Sequence, residues 1–175
     1  MELRTWRSQK LRTLFLLMTL GLMAMIFAFS AQNGDRSHEV SGALIAPVLD
    51  LVAPGWQQMP ASVLAPLQQA AEYIIRKIGH FSEYAALGFT LRLLLQTFAT
   101  RHRSSKSWLA VALYAATDEL HQLFVSSRSA MWQDVVLDSI GGLAGIAAAY
   151  ALAVLLQRHR VKKERERHAD DSRTV

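Results

Sequence analysis

Three islands of ionisable residues interrupt the most apolar parts of this sequence. The segment KIGHFSEYAALG begins at Lys77 and places a lysine, a histidine and a glutamate three residues apart. The segment ATDELHQLFVSSR begins at Ala116, and DVVLDSIGGLAG begins at Asp134. A charged side chain at the centre of a membrane helix costs roughly 2.5–3.5 kcal/mol, so it normally faces protein or a water-filled cavity. These residues are therefore the candidates for chemistry.

Two kinds of chemistry fit these residue types. Imidazole and carboxyl groups exchange protons, which predicts proton handling by Glu119, His80 and Asp138 as candidate catalytic residues. Cationic side chains beside carboxylates suit recognition of a phosphate or diphosphate, which predicts contacts from Lys77 and Arg128. The other predicted ligand-binding residues are Glu83, Tyr84, Asp118, His121, Gln122 and Asp134.

The composition excludes several classes of site. The chain contains no cysteine, which removes thiolate nucleophiles, disulfides and sulfur-ligated metals. No spacing matches a zinc signature such as H-E-x-x-H, so no metal ligands are predicted, and no serine lies in a nucleophile-elbow motif. The sequence leaves the cofactor unknown, and it leaves open whether any reaction is catalysed.

Each feature also has a purely structural explanation. Asp134 is a suitable N-cap for a helix starting at Val135, and Asp118 could be solvated near a helix end. Lys77 and Arg128 could anchor helix ends at the membrane interface. A satisfied network of hydrogen bonds between helices would explain the remaining groups without chemistry.

Four apolar segments, each about the length needed to cross a bilayer, must position these groups. They are predicted at about 11–30, 80–99, 107–125 and 134–156. Because a segment in lipid must satisfy its own backbone hydrogen bonds, we predict an all-α integral membrane four-helix bundle. A soluble protein with long buried helices is one alternative, although soluble helices normally keep a polar face. A cleaved signal peptide is another for the first segment, which ends in the small-residue site Ala28-Phe29-Ser30.

The basic charge lies at the ends of these segments. The chain has a formal charge of +5, and its basic residues concentrate at 1–10, 101–106 and 158–175. By the positive-inside rule this predicts a multi-pass plasma (inner) membrane protein, with a membrane domain at 11–157 and both termini cytoplasmic. The location of the basic residues at the ends of the apolar segments also argues against nucleic acid as a partner. The oligomeric state stays open.

The predicted outer segment, 31–79, contains extra short helices. One should start at Ser37 or Ser41 and stop at Pro54-Gly55, too short to span the membrane. After Pro60, an amphipathic helix leads into the second span. Arg92, towards the cytoplasmic end of that span, is expected to snorkel to the inner headgroups.

Helical spacing predicts an outward-opening polar cavity between spans two, three and four. Asp134 and Asp138 are four residues apart and share a face with a stripe of small residues, which marks a packing face. On span three, small residues lead to Glu119 and Gln122, while Asp118 and His121 point to one side. The small residues of these faces are Gly141, Gly142 and Gly145 on span four, with Ala112, Ala115 and Ala116 on span three.

The three islands, together with IFAFSAQ at the end of span one, resemble the motif blocks of the VanZ-like family of small bacterial membrane proteins. The resemblance covers about 26–145, and Ser30 and Gln32 match its first block. This chain has Ser126-Ser127 where the family typically has a Pro-Gly turn. The departure bears on the expected conformation of the loop more than on the expected site. The family is named for a member associated with resistance to the glycopeptide teicoplanin, and this association supplies no reaction.

The resemblance and the residues together favour one hypothesis. We expect an outward-facing site for an anionic lipid-linked or glycolipid headgroup, with membrane lipid or a lipid-linked envelope precursor as partner and an effect on glycopeptide susceptibility. The alternative is a non-enzymatic membrane protein whose polar network only stabilises helix packing. Ion transport ranks last, because only Arg92 would line a path through the inner leaflet.

Overall fold

Five α-helices make up the chain in the computed structural model, which describes residues 2–31, 34–98, 100–125 and 131–171. A single 3-10 turn at Trp56–Gln58 separates the second helix from the third, and no strand occurs among the described residues. The fold is therefore all-α, as predicted. The helices are α1 (Glu2–Ser30), α2 (Gly34–Val52), α3 (Ala61–Gln96), α4 (Arg103–Gln122) and α5 (Trp132–Asp171).

Two of these helices contain segments long and apolar enough to cross a bilayer. They are Gln9–Ser30 in α1, with mean hydropathy 2.1, and Trp132–Lys163 in α5, with mean hydropathy 2.0. No other helix in the described part of the chain meets that criterion. In α3 and α4 the ionisable islands lie inside the apolar runs and lower their mean hydropathy. Length and composition thus identify two of the four predicted spans.

The third helix is the centre of the bundle. It packs most extensively against α5 and also contacts α1, α2 and α4. The buried core joins α1, α3 and α4 and consists of Ile26, Tyr84, Leu87, Val111 and Ala115. Ile26 and Ser30 of α1 are both buried, so the first helix packs against the others.

Glycines set the spacing between α3 and α5. A Cβ added to Gly141 would lie 2.5 Å from the backbone oxygen of Phe81, and one added to Gly145 would overlap the carbonyl group of Ala85. The two backbones are therefore in direct contact, which only small residues permit. The predicted packing face of the last span is confirmed.

Polar and apolar residues are distributed in the reverse of the soluble pattern. Many large apolar side chains are exposed, including Leu14, Leu17, Leu20, Leu113, Leu120, Ile140, Leu143 and Leu155. The buried polar residues are Thr19, Ser30, Thr90, Arg92, Ser107, Asp118, Glu119, Gln122 and Asp138. Exposed apolar side chains together with buried polar ones are typical of helices that are surrounded by hydrocarbon.

Helix boundaries differ from several predictions. The helix α2 begins at Gly34 rather than at Ser37 or Ser41, although it ends at Val52 as predicted, before Gly55, which adopts a φ of 83°. The predicted amphipathic helix and second span form one continuous helix, α3. The helix α5 starts at Trp132, so Asp134 lies in its first turn and is not an N-cap, and it continues to Asp171.

Arg92 does not snorkel. Its side chain is 7% exposed, and it donates hydrogen bonds to Ser104 Oγ at 3.1 Å and to Gln96 Oε1 at 2.9 Å. A neighbouring helix covers it, and its hydrogen bonds are with protein.

Candidate functional site

An ion pair joins the third and fifth helices at the edge of the site. Lys77 Nζ donates to Asp134 Oδ1, and both side chains are mostly buried. The two residues are 57 positions apart in the sequence. Each is in reach of the other because the glycine contact brings α3 and α5 together just beyond them. The pair gives Asp134 a partner that its helix position alone does not imply.

Glu119 holds the beginning of α5 against the end of α4. Its Oε1 accepts a hydrogen bond from the backbone N–H of Met131 at 2.7 Å. The side chain is 6% exposed. A carboxylate that accepts a buried backbone N–H satisfies a donor which would otherwise be unpaired at a helix start. Glu119 therefore has a structural role in addition to the predicted chemical one.

Asp118, Asp138 and Tyr84 form the deepest part of the site. Both carboxyl groups are 4% exposed, and Tyr84 is fully buried. Gln122 Nε2 donates to Asp118 Oδ2 at 3.4 Å. The Tyr84 hydroxyl is an electrostatic neighbour of Asp118 and Asp138, but it makes no hydrogen bond of standard geometry. The interpretation of Asp118 as a solvated or sideways-pointing residue is wrong, because α4 is covered by neighbours on more than one side.

Four carboxyl groups from two helices cluster here. Asp138 interacts electrostatically with Asp134, Asp118 and Glu119, and also with Lys77. Like charges at short range in a low-dielectric site repel strongly, so this cluster is costly unless donors or cations face it. Among the described residues, no group of three potential ligands is arranged to hold a metal ion.

The first helix also contributes to the site, which the predicted three-helix cavity did not include. His121 stacks on the ring of Phe27, with centroids 4.6 Å apart. Ser30 is buried on the same helix. The Tyr114 hydroxyl donates to the backbone oxygen of Met23 at 2.6 Å. Tyr114 was not predicted, although its position four residues before Asp118 places both on one face of α4.

Two predicted residues are less deeply placed. His80 and Glu83 are half-buried on α3 between Lys77 and Tyr84, and both interact with other groups. Proton handling by Glu119, His80 and Asp138 stays a prediction. Arg128 and Gln32 lie outside the described residues.

Five buried polar atoms in this region have no hydrogen-bond partner among the described residues. They come from all four long helices and are Ser30 Oγ, Tyr84 Oη, Asp118 Oδ1, His121 Nε2 and Asp138 Oδ1. Buried polar groups in folded proteins are normally paired, and each unpaired one costs about 1–3 kcal/mol. These unpaired atoms are the positions at which a ligand can form hydrogen bonds with the helices.

Comparison with known proteins identifies a family. The profile of the VanZ/LLP1 family matches residues 15–156, which include α2 to α4 and most of α1 and of the apolar part of α5. Searches of curated proteins and of solved structures found no match. Together with the two apolar helices, the family match indicates a membrane protein.

Proposed function

Because the chain belongs to the VanZ/LLP1 family, we propose that it is a four-span membrane protein whose outward-facing polar site binds an anionic lipid-linked or glycolipid headgroup. The apolar outer surfaces of α4 and α5 support four spans. The basic residues in the first part of α1, around the start of α4, and in the last part of α5 support cytoplasmic termini. This orientation directs the site to the outer face of the plasma membrane.

The unpaired buried atoms carry this proposal. Asp118 Oδ1 and Asp138 Oδ1 have no hydrogen-bond partner of standard geometry among the described residues, and an ionised carboxylate oxygen can accept hydrogen bonds from a ligand. A sugar headgroup presents several hydroxyl donors on a small volume. Tyr84 and Ser30 hydroxyls can donate in return or accept. A glycosylated headgroup therefore complements the deep part of the site.

The cationic residues would recognise the phosphate of the same ligand. Lys77 is at the shallow side of the carboxyl cluster, and Arg128 follows α4 in the sequence. Lysine and arginine both bind phosphate, arginine as a two-donor fork. In this arrangement the sugar lies deep and the phosphate lies near the headgroup level. Glu119, His80 and Asp138 would exchange protons with the bound headgroup.

The test is direct binding to the purified protein by native mass spectrometry. The probes are a polyprenyl diphosphate and the same lipid with an attached disaccharide. The wild type should retain the glycosylated lipid, and Asp138→Asn should bind it about 10- to 100-fold more weakly, since a hydrogen bond to a charged group contributes about 1.5–3 kcal/mol. Glu166→Gln, an equivalent change at an exposed carboxylate in the tail, is the control. Equal binding by all three proteins would contradict the proposal.

A cellular assay addresses the family's glycopeptide association. Glu119→Gln and His80→Ala should abolish any change in teicoplanin susceptibility while the amount of protein in the membrane stays constant. Unchanged susceptibility in both variants argues against a role of this site in that phenotype.

A structural network is the second candidate, favoured by the Lys77–Asp134 pair and the Glu119–Met131 hydrogen bond. Both interactions tie helices together without a ligand. This function predicts that substitutions in the site lower abundance and thermal stability together, and that no lipid is retained by the wild type.

A further inference from the structure

A polar cavity lies at the opposite end of the bundle from the carboxyl cluster. Its volume is about 460 Å³, and its polar lining consists of Arg92, Gln96, Arg103, Tyr150 and Gln157. The residues Arg92 and Tyr150 follow Lys77 and Asp134 by about four helical turns on α3 and α5, a distance of roughly 20–25 Å. We call it the arginine cavity, and it is separate from the proposed headgroup site.

Among the described residues, neither guanidinium group in this cavity has an acidic partner. Arg92 is almost fully buried, and its hydrogen bonds go to the neutral oxygens of Ser104 and Gln96. Arg103 donates from Nη2 to the Phe98 carbonyl at 3.2 Å, while its buried Nε has no partner. No aspartate or glutamate is among the described residues that line the cavity. A buried cation without a counter-ion is unfavourable, because no opposite charge compensates for the loss of its hydration.

Helix packing does not by itself require this charge. Hydrogen bonds to Ser104 and Gln96 would be available to a neutral donor such as glutamine. Two arginines instead place up to ten N–H donors and two positive charges around one space. The N-terminus of α4 begins at Arg103 without a side-chain cap, which adds the positive end of a helix dipole beside the same space. All of these features favour an anion.

We infer that the arginine cavity binds a phosphate group, carried by an anionic phospholipid of the inner leaflet. Arginine forks match phosphate oxygens, and basic pockets between membrane helices on the cytoplasmic side suit anionic headgroups. The apolar residues Ala153, Val154 and Leu156 of α5 line the same cavity and provide contact for the lipid's glycerol and upper acyl chain. The inference takes from the proposed function only the membrane orientation.

The experiment measures lipid binding to delipidated protein by native mass spectrometry and by thermal stability. The probes are phosphatidylglycerol, phosphatidylcholine and inorganic phosphate. We expect tighter binding of phosphatidylglycerol than of phosphatidylcholine, and about tenfold weaker binding in both Arg92→Gln and Arg103→Gln. If inorganic phosphate competes with phosphatidylglycerol, phosphate alone is sufficient for binding. If it does not compete, the lipid is required. Either result supports an anion site.

The controls separate this cavity from general charge and from the outer site. Lys106→Gln removes one positive charge from an exposed residue of α4 outside the cavity and should leave binding unchanged. Binding of the glycosylated lipid, measured with the same Arg92→Gln and Arg103→Gln proteins, should be unchanged, so the two sites fail independently. If Arg92→Gln does not fold, the test rests on lipid binding by Arg103→Gln and on the thermal stabilisation of the wild type by each lipid. Equal binding of both lipids, or an equal loss in Lys106→Gln, overturns the inference.

Discussion

Replacing Gly145 with alanine should destabilise the protein by forcing α3 and α5 apart. The added Cβ would lie 2.7 Å from the carbonyl carbon of Ala85 and 2.9 Å from the backbone nitrogen of Phe89. Non-bonded carbon atoms normally approach to about 3.5–4.0 Å, so the helices must separate by about 1 Å. Backbone atoms, unlike a flexible side chain, cannot turn away. A gap of that size forfeits about a quarter to a half of the local dispersion attraction.

The expected loss is about 1–3 kcal/mol, the usual cost of overpacking, reduced by the roughly 0.5–1 kcal/mol that alanine gains over glycine in a helix. The assay is the thermal midpoint of the detergent-solubilised protein, followed by probe binding at the outer site. Gly21→Ala is the matched control, because a Cβ on that helical glycine meets nothing within 4 Å. Gly21→Ala should be neutral or stabilising. Equal midpoints for the two variants would refute the close contact between the helices.

Two further predictions concern contacts that join the helices around the site. Lys77→Met should lower the free energy of unfolding, because it leaves Asp134 partly buried and unpaired. The expected loss lies between the roughly 0.2–1 kcal/mol contributed by an exposed ion pair and the roughly 3–5 kcal/mol lost when a buried pair is broken. Asp134→Leu in the same background should recover part of this loss in a double-mutant cycle of unfolding, and strictly additive effects would mean that the pair does not form. Tyr114→Phe should cost about 0.5–1.5 kcal/mol by removing its hydrogen bond to α1, measured by the same unfolding assay. A Tyr73→Phe control, at an exposed tyrosine, should have a smaller effect than Tyr114→Phe, and the reverse order would contradict the α1–α4 contact.

Much of the local structure follows from spacing along single helices. Apolar segments, basic flanks and the Gly55 stop all depend on near neighbours in sequence. The shared face of Asp138 and Gly145 follows from the helical period of 3.6 residues, and the backbone contact confirms it. The all-helical fold and the family were predicted for the same reason, since motifs and propensities are local properties.

The errors concern burial and partners. Arg92 was expected to reach the inner headgroups, yet it is covered by protein. Solvation of Asp118 and capping by Asp134 were the structural alternatives, but Asp118 is buried, and Asp134 lies in the first turn and pairs with Lys77. Each error arises because a single helix does not show how many neighbours surround it. A residue at the edge of a predicted packing face becomes buried once a third helix packs there.

The sequence by itself determined which residues are polar within apolar helices, where those helices lie, and which side chains share a face. Only the tertiary structure decided that Lys77 meets Asp134, that α1 brings Ser30 and Phe27 to the site, and that two arginines enclose a cavity at the other end. The physical reason is that the helical period sets directions around one axis. The rotation of each helix against its neighbours is set by the packing of all of them together, here by glycines that let two backbones touch.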